Sequence, residues 1–156
     1  MDREEFLKQA LEVESTLFHV AFSILHQEQD CADAVQETIL KGYDHREKLR
    51  EKTYFKTWIT RILINECYTI LRKNRKYYTL EETKEVADTK EYIKEEYLDL
   101  YRAIEQLEEG EKICILLFYM EDYSVSQIAD VLRIPEGTVK SRLSRARKHL
   151  KGILQE

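Results

Sequence analysis

Apolar residues along this chain recur at steps of three and four, the period of an α-helix, in nearly every stretch that carries them. Between residues 4 and 25 the set Phe6, Ala10, Val13, Leu17, Ala21 and Leu25, with Leu7, Leu11, Phe18 and Phe22 beside it, predicts one long helix or two abutting ones. A second helix is expected in DCADAVQETILKGYD, with Asp30 as its cap and Ala34, Val35, Thr38 and Ile39 turned to a core. The charged stretch from Asp44 to Thr53 reads as a loop, or a short helix with a loop. A strong third helix starts near Tyr54 and carries Phe55, Trp58, Ile59, Ile62, Leu63 and Leu71. The pattern then fades and resumes with Tyr97, Leu98, Tyr101, Ile104 and Leu107, followed by Ile113 to Tyr119.

The last fifty residues hold the clearest local signal. Ser124 followed three residues later by Gln127 fits a capping box, and Ile128, Ala129 and Leu132 continue it as a short helix. The break at Arg133 to Gly137 holds the only proline of the chain, Pro135, which the first turn of a new helix tolerates and the interior of an old one does not. Beyond it Val139, Leu143, Ala146 and Leu150 form an apolar stripe, and Lys140, Ser141, Arg142, Ser144, Arg145 and Lys148 fall away from it. A short helix, a tight turn and a longer helix with a basic outer face form the helix-turn-helix pattern, whose second helix enters the major groove of DNA.

Composition narrows the fold. With 156 residues, 43% hydrophobic, four Gly and one Pro, the chain has ample core and little material for hairpins, so an all-α fold is expected. The length suits one compact domain or two small ones. No apolar run reaches membrane-spanning length and the charged start MDREEFLKQ is unlike a signal peptide, so a soluble, cytoplasmic protein is expected. The three cysteines, Cys31, Cys67 and Cys114, are far apart, with no CxxC pair and no histidine at ligand spacing, which points to buried thiols and no metal site.

Charge changes the picture more. The total is −5, yet Arg133 to Gly152 holds seven basic residues against one acid, and Lys56 to Lys76 holds six against one. Leu80 to Lys112 is the reverse, with twelve acids and five bases. The segregation argues against general nucleic-acid coating and leaves specific DNA binding open. In the third helix, cations interleaved with Tyr, Phe and Trp suit a single or melted strand, where phosphates meet cations and unstacked bases meet aromatic faces. On the second helix Asp33, Gln36 and Glu37 make an acidic patch, either a solvated face or a dock for a basic partner.

These residues carry a resemblance. LFHVAFSILHQEQDCADAVQETIL, FKTWITRILINECYTILRK and the stretch from IEQLEEGEK to TVKSRLSRARKHLK resemble, in order, regions 2.1–2.2, 2.3–2.4 and 4 of the sigma-70 family of RNA polymerase sigma factors, in its small extracytoplasmic-function (ECF) group. Glu108 follows Leu107 where such chains often have proline, and the loop before Phe55 lacks their glycine. The resemblance implies two small helical domains, region 2 in 1–76 and a region 4 helix-turn-helix in 98–156, joined by a flexible acidic linker over 77–97. It implies that Asp33, Gln36 and Glu37 dock on the β′ clamp helices of core polymerase. The loop from Arg46 to Thr53 would capture a flipped base of the −10 element with Leu49 near the pocket. Lys56, Trp58, Arg61, Asn65, Arg72 and Lys73 would follow the opened strand. In region 4, Ser141, Ser144 and Arg145 would meet base edges of the −35 element while Lys140, Arg142 and Lys148 hold phosphates. Implied partners are core RNA polymerase, through its β′ clamp helices and β flap, promoter DNA, and a cognate anti-sigma factor. No cofactor and no small-molecule substrate are implied.

Two rivals stand beside that reading. A stand-alone helix-turn-helix regulator shares the C-terminal half but has no use for the basic, aromatic third helix. A DNA-acting enzyme would need a nucleophile with convergent arginines, or paired carboxylates for a metal, and no such constellation stands out.

Overall fold

A computed structural model gives the protein's structure, described for residues 1–77 and 98–155, with the backbone alone for 75–77. The chain divides into two compact units, Met1–Val86 and Ala87–Glu156. Among the described residues there is no strand. The expected linker lies outside them, apart from Tyr77, which ends a helix.

In the first unit three helices pack on one another: α1 (Arg3–Leu25), α2 (Glu28–Asp44) and α3 (Phe55–Tyr77). The first apolar stretch is thus one helix. Asp2 caps it through a bond from the Glu5 N–H, and His26, left-handed at φ 56°, ends it. The expected cap of α2 is corrected. Gln27, not Asp30, accepts the Asp30 N–H at 2.7 Å, because the helix starts a turn earlier and places Asp30 inside it. Between α2 and α3 the charged stretch forms two 3₁₀ turns, Arg46–Lys48 and Lys52–Tyr54.

Phe6, Leu17, Phe55, Ile59 and Leu63 lie at the centre of this unit, essentially without exposure. The Phe6 ring meets Tyr43 of α2 and Phe55 of α3 edge-on, at 5.5 and 5.6 Å, so one side chain joins all three helices. A Cβ on Gly42 would meet Ile59 Cδ1 at 2.6 Å, so the approach of α2 to α3 depends on that glycine. Cys31 and Cys67 are buried in the same core, and desolvation pushes both thiols up to about 12.

The second unit contains α4 (Leu98–Glu105), α5 (Glu109–Ile115) continuing into a π turn (Leu116–Met120), α6 (Val125–Leu132) and α7 (Glu136–Gln155). Both bonds of the Ser124–Gln127 capping box are present, at 2.9 and 3.0 Å. Arg133 closes α6 in the left-handed conformation at φ 55°, and the Pro135 carbonyl receives the first N–H groups of α7. Tyr123, Ile128, Val139, Leu143 and Ala146 are buried where α5, α6 and α7 meet, so the packed side of α7 is the apolar stripe read from its sequence.

Candidate nucleic-acid and partner interfaces

The outer face of α2 presents Asp33, Gln36 and Glu37 to solvent, while Cys31, Ala34, Val35 and Thr38 face the core. One turn further along the same face stands Leu40, 54% exposed. The face is therefore acidic, with one exposed apolar side chain among its carboxylates. Gln29 Nε2 steadies the Asp33 carboxylate at 3.0 Å. The cation nearest this face, Lys41, is engaged by Glu66 of α3, and that bond raises its pKa.

On α3 the buried positions Phe55, Ile59, Leu63 and Cys67 leave the opposite side outward. At 3.6 residues per turn that side carries Trp58, Arg61, Asn65, Thr69 and Arg72, with Tyr68 beside them and Tyr54, 54% exposed, leading in from the 3₁₀ turn. It is a stripe of rings alternating with cations and amides. Trp58 is half-buried, its ring 6.1 Å from that of Phe55, so the indole is held yet still presents a face. Arg61 Nε is buried with no acceptor among the described residues, leaving a donor that the fold does not satisfy.

Two of the sequence-predicted residues in this unit fall elsewhere. Lys56 projects about 160° away from Trp58 around the helix, on the packed side, so it does not share the path with Trp58, Arg61 and Asn65. Leu49 is buried, because the 3₁₀ turn before it tucks the side chain inward, so it supports the loop from beneath. Lys73 is exposed at the edge of the stripe.

On α7 the outward face brings together Ser141, Ser144, Arg145 and Lys148, all exposed, with Lys140 on one flank. Arg142 departs from that group. Its guanidinium lies 3.2 Å from where a Gly110 Cβ would stand, and its charge partly lowers the Cys114 thiol that burial raises. Arg147, seven residues on from Lys140 and so on the same flank, donates from Nε to the Tyr119 hydroxyl at 2.7 Å. His149 Nδ1 sits 2.8 Å from Oε2 of the buried Glu111, joining α7 to α5.

Leu40, Tyr54, Tyr68 and Thr69 were not singled out from sequence. The 4, 3, 4 spacing of 54, 58, 61 and 65 was the signal that could have found the α3 members. Also unforeseen is an apolar groove of about 740 Å³ lined by Ile104, Ile115, Tyr119, Met120, Leu150 and Leu154, with exposed Arg147 and Lys151 beside them.

The matches to known proteins agree with this layout. Residues 11–77 match the family description "Sigma-70 region 2", and residues 97–150 match "Sigma-70, region 4". The RNA polymerase sigma factor SigV of Bacillus subtilis is 31% identical over 137 residues, covering 84% of this chain and 80% of that protein. The ECF RNA polymerase sigma factor SigM of Mycobacterium tuberculosis is 31% identical over 128 residues, covering 81% of this chain and 65% of its own length. Among solved structures, the sigma factor RpoE of Bartonella quintana, in complex with the anti-sigma factor NepR, superposes with a TM-score of 0.79 at 24% identity. That match covers 97% of this chain and 98% of the other, and at that identity it speaks to the fold.

Proposed function

The chain belongs to the ECF group of the sigma-70 family of RNA polymerase sigma factors, and we propose that its three outward faces divide the work of promoter recognition. It is an alternative sigma factor that binds core RNA polymerase and directs it to promoters. Residues 1–76 act as region 2 and 98–156 as region 4, joined by the acidic segment between them. Asp33, Gln36 and Glu37 of α2, with Leu40 among them, dock on the β′ clamp helices. The α3 stripe holds the opened strand of the −10 element: Trp58, Tyr54 and Tyr68 take unstacked bases, and Arg61, Asn65, Arg72 and Lys73 take phosphates and base edges. In α7, Ser141, Ser144 and Arg145 read the −35 duplex, with Lys140 and Lys148 on its phosphates. The groove beside Tyr119 receives an apolar segment of the β flap. A cognate anti-sigma factor competes for these faces. The chain works in the cytoplasm and contributes no catalytic group, the chemistry being the polymerase's own.

The observation that carries this reading is the α3 stripe. A stand-alone regulator that reads duplex DNA has no use for outward rings alternating with cations, and an acidic total disfavours tight binding to duplex in isolation. The two DNA faces gain strength when polymerase holds both at once, which raises the effective concentration of the second after the first has bound. Run-off transcription with bacterial core polymerase on a pool of genomic fragments tests the reading. New start sites preceded by two short shared elements are expected. Failure of the chain to bind core polymerase would overturn it.

A further inference from the structure

Among residues 55–74 the last buried position of α3 is Cys67, followed by half-buried Tyr68 to Leu71, and the helix runs ten residues, about 15 Å, beyond it. Arg72 and Lys73 lie on that overhang, exposed. There Asn74 Nδ2 donates to Asp30 Oδ2 of α2 at 3.0 Å, across forty-four residues of sequence, and both residues are half-buried. A second polar bridge joins the same two helices further back, between Lys41 of α2 and Glu66 of α3.

The place of these bridges on α2 matters. Asp30 and Lys41 lie on the flank next to the face that carries Asp33, Gln36, Glu37 and Leu40, and they bracket it along the helix. Whatever docks on α2 thus holds the helix between its two grips on α3. Asp30 is available for this role because Gln27 has taken over the capping of α2.

We propose that Asp30 and Asn74, backed by Lys41 and Glu66, are positioning residues for promoter opening, setting the basic end of α3 relative to the polymerase-docking face of α2. The proposal rests on the reading of those two faces given above. A half-buried amide-to-carboxylate bond is directional where apolar packing is not, so it selects one direction for this end of the helix. With the direction fixed, Arg72 and Lys73 continue the line of Trp58, Arg61 and Asn65 as the strand leaves the rings.

The test uses the full-length chain with core polymerase, on a promoter selected from random-sequence DNA by the wild-type holoenzyme. Asn74→Asp sets two carboxylates against each other. It is expected to slow open-complex formation about three- to tenfold, the scale of one such bond, and to leave core affinity within about twofold of wild type. The exchange Asp30→Asn with Asn74→Asp rebuilds the bond with donor and acceptor reversed, and is expected to restore the rate to within about twofold. Thermal melting of each variant identifies any that fails to fold, and the exchanged pair then carries the comparison. The proposal is overturned by an exchanged pair as slow as Asn74→Asp, by Asn74→Asp opening the promoter at the wild-type rate, or by core affinity falling in step with the rate. A wild-type chain that does not bind core polymerase overturns the sigma reading itself, and this proposal with it.

Discussion

The outward sides of α3 and α7 differ in the chemistry they would offer to nucleic acid. Both helices are long, 23 and 20 residues, and both bury one apolar stripe against a small bundle. On α3 the free side alternates rings with charge: Tyr54, Trp58, Arg61, Asn65, Tyr68 and Arg72. On α7 the free side has hydroxyls and cations, Ser141, Ser144, Arg145 and Lys148, and no ring. A paired base offers only its edge, so an aromatic side chain on α7 would have nothing to stack on. An unpaired base offers its face, which a serine cannot use. The chemistry of α3 thus suits the unpaired strand and that of α7 the duplex, as the proposed function assigns them.

The largest effect that separates the two is expected at Trp58. Base-to-aromatic stacking is worth about 1–3 kcal/mol, so Trp58→Ala is expected to weaken holoenzyme binding to a single-stranded −10 oligonucleotide by about thirtyfold. Binding to a −35 duplex should be unchanged. Fluorescence anisotropy on the two probes checks both halves, and an equal loss on each would end the distinction drawn above.

Arg145→Ala should give the mirror image with a smaller loss. A cation at a base edge contributes about 1–3 kcal/mol, so about tenfold weaker duplex binding is expected, with one −35 position becoming tolerant of all four bases. Selection from a −35 library by the variant holoenzyme reads that position directly. A uniform loss across all sequences would move Arg145 to the phosphates.

Lys148 is expected to do less. As a phosphate contact it should leave sequence preference alone, and Lys148→Ala should lower the slope of log affinity against log salt by about 1. Titrations at several salt concentrations measure this. An unchanged slope would take Lys148 off the DNA.

How far these faces were legible in the sequence follows from the same physics. The helices, the capping box at Ser124 and the turn at Pro135 depend on neighbours a few residues apart, so local pattern suffices to find them. The apolar stripe of α7 was legible because burial and the 3.6 period agree there. Leu49, Lys56 and the cap of α2 were not. Whether Leu49 points into the bundle depends on a 3₁₀ turn, and Gln27 becomes the cap only because α1 ends at a left-handed His26 two residues after Ile24. Lys56 sits on the packed side of its helix, although its position in a basic, aromatic run suggested the stripe. Charge along a sequence marks a region, while helical phase decides which members of it share a face.

Arg142 is the sharpest case, and the smallest expected effect on DNA. In sequence it stands between Ser141 and Ser144 within TVKSRLSRAR and looks like a third cation for the phosphates. In the structure it is half-buried, with its guanidinium against Gly110 and its charge felt at the Cys114 thiol. Arg142→Gln is therefore expected to leave the salt slope of duplex binding unchanged, where Lys148→Ala lowers it. The cost should appear as stability, about 1 kcal/mol for the lost packing of one half-buried side chain, which lowers the melting temperature by several degrees. The variant also removes the cation that offsets burial at Cys114, so the thiol should rise further and react more slowly with thiol reagents at alkaline pH. A lower salt slope with unchanged melting would mean that Arg142 swings out to the DNA when polymerase binds. In that case the division of α7 into a reading face and a packing face would not hold on the promoter.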